Sequence, residues 1–178
     1  VQGKTVVVNL ILVGVAINAM AGGFVTLFSF IGGTMAQSQV VFWQLGSLAG
    51  AGWSSAVITL IITVIGIVIA CLCAPKMDLL ALGENQARHL GVNVERFRLC
   101  VIILVAALVG VGVAFAGVIA FVGLIVPHAI RLIIGPQHKW LLPTSAFGGA
   151  FVLLVADTCA RTTISTAELP IGMLTSLI

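Results

Sequence analysis

Long apolar runs alternate with short polar stretches along this chain, and the run lengths predict membrane-crossing helices. Residues 6–30 form the first run, preceded by Lys4. Residues 54–74 form the second, and Pro75 is expected to close it, because a proline just past a helix end does not continue it. Between them, residues 31–52 carry no charge and are rich in Gly, Ser and Gln. Trp43 and Trp53 suit a membrane–water interface there, and residues 39–48 predict a short surface helix. The run 99–134 has no charge before Arg131. As one helix it would be about 54 Å long, against about 30 Å of hydrocarbon. A break near Gly117 divides it into two antiparallel crossings joined by a tight turn. Gly135-Pro136 stops the second, residues 141–158 make the next crossing, and a last apolar run begins near Ile171.

One polar island interrupts this pattern. Residues 77–98, MDLLALGENQARHLGVNVERFR, hold six of the 13 Asp, Glu, Lys and Arg residues of the whole sequence. Leu79, Leu80, Leu82, Ala87 and Leu90 recur at helical spacing among Glu84, Gln86, Arg88 and His89. Gly83 and Gly91 break the periodicity, which predicts two short amphipathic helices. Such an element lies on a membrane surface, docks onto a partner protein, or is an ordinary folded-over loop.

Composition then settles the class. The chain is 61% hydrophobic and 7% charged, where soluble domains carry roughly 25% charged residues. It reads as an all-α polytopic membrane protein with about five transmembrane helices and an incomplete sixth. The net charge of +3 is not gathered on one soluble face, so it marks no nucleic-acid surface. It does set topology. Counting crossings puts Lys4, Lys76, Arg88, Arg96, Arg98, Arg131 and Lys139 on one side and Arg161 on the other. The positive-inside rule makes the crowded side cytoplasmic, and the parity works only if residues 99–134 cross twice. The chain starts at Val1 and stops inside an apolar run, which predicts a piece of a longer protein.

No catalytic pattern is present: there is no H-E-x-x-H, G-x-S-x-G or Walker A run. The cysteines at 71, 73, 100 and 159 lack C-x-x-C spacing and read as small buried hydrophobes. Asn9 and Asn18 fall inside the first crossing, where interhelical hydrogen bonds explain them. Ala106, Gly110 and Ala114, and again Ala146 and Ala150, form small faces that permit close helix approach. Asp157 and Arg161 are one turn apart and suit an ion pair. Asp157 is also the one candidate for a proton or sodium relay, which would make the chain an ion-coupled secondary transporter. An intramembrane enzyme using His128 is a third reading, without a nucleophile or metal ligand to support it.

Four stretches in register, LGENQARHLGV, AGVIAFVGLIVPHAIRLIIGPQHKWLLP, ADTCART and AELPIGMLTSLI, resemble the permease subunits of bacterial type II ABC importers. FWQLGSLAGAGW also fits. The resemblance runs from about Leu10 to the last residue and implies a single permease domain over residues 1–178. That domain would be the second half of a subunit with about ten helices, multi-pass in the bacterial cytoplasmic (inner) membrane. It implies transport of an iron chelate (ferric siderophore or haem), or else of vitamin B12, with no chemistry performed by this chain.

The resemblance also assigns partners. A separate cytoplasmic ATPase would bind ATP and Mg, this chain binding no cofactor or metal. A second permease copy, an extracytoplasmic substrate-binding protein and membrane lipid complete the set. Coupling helices at about 78–91 would enter a groove of the ATPase, with Leu82, Gly83, Glu84, Ala87, Arg88, Leu90 and Gly91 at the matching positions. Arg161 matches an outer-face arginine that meets the binding protein.

Overall fold

In the computed structural model, backbone is described for residues 2–48 and 50–163, and side chains for residues 9–48 and 50–162. The segment after Thr163, with Glu168 and the last apolar run, lies outside the described residues. The chain divides into two units, one up to Gln44 and one from Leu45 onward.

The first unit contains α1 (Gln2–Ile31) and nearly all of α2 (Gly33–Leu45). Residues Asn9–Ile31 are long and apolar enough to cross a membrane. Their hydroxyls bond back into the helix: Thr26 Oγ1 donates to the Gly22 carbonyl at 2.9 Å and Ser29 Oγ to that of Val25 at 2.7 Å. A hydroxyl satisfied this way can face hydrocarbon. Gly33, at φ 74°, makes the turn between the helices. The helix expected at 39–48 is therefore found earlier, at Gly33–Leu45.

The second unit contains α3 (Trp53–Ala81), α4 (Glu84–His89), α5 (Val94–Ala116), α6 (Val122–Ile134) and α7 (His138–Thr163). α3 packs against α5 and α7, α4 against α3 and α5, and α6 against α7. α3, α5 and most of α7 are each long and apolar enough to cross a membrane. Gly66 of α3 permits one close approach, since a Cβ there would stand 2.4 Å from Leu108 Cδ2 of α5. Gly148 of α7 permits another, with Ile130 Cδ1 of α6 2.8 Å from where its Cβ would be. The faces formed by Ala106, Gly110 and Ala114 are instead exposed. A Cβ on Gly110 would meet nothing within 4 Å.

Two expectations change. Pro75 does not end α3, which runs on to Ala81. Proline removes one intrahelical bond and crowds the preceding turn, yet the bonds on either side persist, as membrane helices tolerate. The first of the two short amphipathic helices is thus the last turn of α3. The run 99–134 does break at Gly117, at φ 73°, but its second part is irregular at 117–121 before the 13-residue α6. At about 20 Å that helix is short of a full crossing. α5 and α6 accordingly pack on different neighbours, α3 and α7.

The irregular segment is held by the loop after α2. Ser47 N donates to the Ala116 carbonyl at 2.9 Å, which satisfies one of the carbonyls left over at the end of α5. Gly46, buried at φ 70°, is where this loop crosses: a Cβ would stand 2.8 Å from the Val118 carbonyl oxygen.

Candidate functional site

Helix directions bring the basic ends of the second unit together. α3 and α6 end, and α5 and α7 begin, with Lys76, Arg131, Arg96, Arg98 and Lys139. Two polar contacts show that these ends meet. Asp78 Oδ1, near the end of α3, accepts from the backbone N of His138 at 3.0 Å and lies 2.5 Å from His138 Nδ1. His138 is the first residue of α7, so the carboxylate caps a helix start from 60 residues away. Glu84, in the first turn of α4, pairs with Arg98 of α5, both side chains being largely covered.

α4 is a six-residue helix framed by glycines. Gly83, at φ 125°, lets the chain turn out of α3, and Gly91, at φ 82°, lets it leave α4. At the exit the Val92 N–H bonds the Ala87 carbonyl and the Gly91 N–H bonds that of Arg88, both at 3.0 Å. This is a Schellman ending, the commonest use of a left-handed glycine after a helix. Asn93 then caps α5, its side chain accepting from Arg96 N at 3.2 Å, with Glu95 in the first turn. Six residues would not hold helical form alone; the frame imposes it.

The predicted site residues separate by this geometry. Ala87 is fully buried and seats α4 on the unit, and Glu84 is committed to Arg98. Gly83 is half-buried and Gly91 exposed at the corners. Leu82 and Leu90, by contrast, expose 66% and 63% of their surface, and Arg88 is exposed between them. Arg88 also borders an open groove of about 410 Å³ lined by Gly91, Val92, Asn93, Val94 and Glu95. Two aliphatic side chains and a cation are thus displayed on a braced knob.

Arg161 lies at the far end of α7, about 35 Å of helix from its start. Its Nε donates to Asp157 Oδ2 at 2.8 Å, one turn back, as the spacing predicts, and it remains 59% exposed. His128 is exposed on α6, and among the described residues no group of three His, Cys, Asp or Glu side chains is placed to hold a metal ion. Asp78 and His138 were not singled out from sequence. Their one signal there is that each stands at the polar edge of a long apolar run.

Comparison with known proteins places the whole chain in a family. The model of the FecCD transport family matches residues 1–178. The hemin transport system permease HmuU of Yersinia pestis is 44% identical over 170 residues, 96% of this chain and 51% of that protein. The vitamin B12 import system permease BtuC of Vibrio vulnificus is 40% identical over 170 residues, again 96% and 51%. A solved structure described as an inward-facing, metal-chelate type ABC transporter superposes with a TM-score of 0.89 at 35% identity. That match covers 95% of this chain and 55% of the other. The chain spans about half the length of the curated relatives it matches.

Proposed function

The chain belongs to the FecCD transport family, and we propose that it forms the membrane pathway and ATPase-docking half of an ABC importer permease. It is a multi-pass inner-membrane protein, and its relatives are transport permeases. The observation that carries the proposal is the braced knob: Leu82, Arg88 and Leu90 displayed outward while Ala87 and the Glu84–Arg98 pair fix α4 from behind. A knob seated in an ATPase groove moves with that groove when nucleotide closes it. Because α4 is held to α3 and α5, the motion passes to those helices as a rigid body.

The same reading assigns the cytoplasmic side to the basic end. ATP and Mg belong to the ATPase, a second permease copy completes the pathway, and Arg161 faces the binding protein. A rim charge there steers encounter more than it adds affinity. The cargo class is an iron chelate, ferric siderophore or haem. The haem permease at 44% identity and the metal-chelate neighbour favour it, and the B12 permease at 40% makes cobalamin the second reading. The family match disfavours the ion-coupled alternative, and Asp157, its candidate group, pairs with Arg161.

The test is reconstitution of the full-length permease with its ATPase and binding protein, offering haem, a ferric siderophore or cyanocobalamin. ATP-dependent uptake of an iron chelate is expected. Uptake of cobalamin alone establishes the second reading, and uptake driven by a proton or sodium gradient without ATPase overturns both.

A further inference from the structure

The coupling element is followed in sequence by α5 and paired to it through Glu84–Arg98, yet a second polar link from its base reaches α7. Asp78 stands four residues before Leu82, in the last turns of α3, and its Oδ1 receives both the backbone N and the ring of His138. α7, which starts there, packs along α3 and carries Asp157 and Arg161 at its other end. We propose that Asp78 is a positioning residue that latches the start of α7 to the base of the coupling knob, so that displacement of α4 reaches the helix bearing Arg161.

Three physical points carry this. The contact is made to a backbone N–H, so it grips the axis of α7 rather than a flexible side chain. A carboxylate at a helix start is favoured by the helix dipole as well as by the hydrogen bond. His138 is mostly covered while Asp78 is half-exposed, so the pair sits at the rim of the unit, where a docking partner would push. α3 and α7 also pack along one another, and the carboxylate cap adds to that packing a directional contact that fixes their register.

The inference rests on the ATPase-docking reading. Its test is hydrogen exchange on the full-length permease in nanodiscs, with and without the ATPase locked by a non-hydrolysable ATP analogue. In the native protein, amides of segment 83–92 and of the first turn of α7 should both slow on ATPase engagement, by about tenfold, a usual size for site-to-site coupling. In Asp78→Ala the response at 83–92 should persist while that at the start of α7 falls within about twofold of none. Asp78→Asn keeps an oxygen acceptor for the backbone N–H and should restore most of the response. His138→Ala, which keeps the backbone donor, should do likewise. These two variants decide the matter if Asp78→Ala does not insert. A latch that merely stabilises would raise exchange at the start of α7 in Asp78→Ala while leaving its response to the ATPase intact, and that outcome overturns the proposal. Absence of any response in the native protein, at 83–92 included, overturns the docking reading and the latch with it.

Discussion

The two ends of the second unit are built on different principles. At the basic end the polar contacts run between helices: Asp78 of α3 reaches His138 of α7, and Glu84 of α4 pairs with Arg98 of α5. At the opposite end the ion pair, Asp157–Arg161, lies within one helix, one turn apart. There the chain is joined by backbone instead, through Ser47 N on the Ala116 carbonyl and Gly46 against Val118. Cross-bracing holds the helices of the basic end to one another. A local pair can open and re-form on a partner without moving a helix, so the opposite end suits reversible docking.

The contrast breaks most severely at Gly46. Gly46→Val places a β-branched residue at positive φ with a Cβ 2.8 Å from a carbonyl oxygen. Strain and overpacking together amount to about 2–6 kcal/mol. Thermal unfolding of the purified full-length protein should show a large loss of stability, whereas Gly110→Val, on an open face, should leave it nearly unchanged.

Removing the Glu84–Arg98 brace tests the basic end at intermediate size. Arg98→Ala leaves a mostly covered carboxylate without its partner, a change of about 1–3 kcal/mol. Exchange in segment 83–92 should rise and retention of the ATPase on the tagged permease should fall. Retention at the native level would show that the knob needs no brace. Leu90→Asp should abolish retention without raising exchange, because Leu90 is displayed rather than packed.

The smallest stability effect belongs to Arg161. An exposed pair one turn apart contributes about 0.3–0.5 kcal/mol, so Arg161→Glu should barely move the unfolding temperature. Its binding-protein docking should nevertheless weaken, and more so at low salt, because opposite charges there steer encounter over a Debye length. Unchanged docking would leave Arg161 with the local pair alone.

Much of this architecture follows from local pattern. Uninterrupted apolar runs specify crossings because the backbone must satisfy its own hydrogen bonds in hydrocarbon, and the left-handed turns at Gly83, Gly91, Gly117 and Gly135 fall where glycine breaks a helical period. The Asp157–Arg161 pair is equally legible, being set by helical spacing. Pro75 misled because a proline's local cost, about 3 kcal/mol or more, is offset by neighbouring turns and by packing that extends α3 to Ala81. Tertiary structure alone decided that Gly66 and Gly148 are contact points among the described residues, since that depends on what each helix faces. It alone turned Glu84 inward and left Leu82, Arg88 and Leu90 outward. It also joined Asp78 to His138, a contact 60 residues apart that no periodicity encodes. Helical spacing orders neighbours within a few turns; partners at longer range are chosen by how the helices pack.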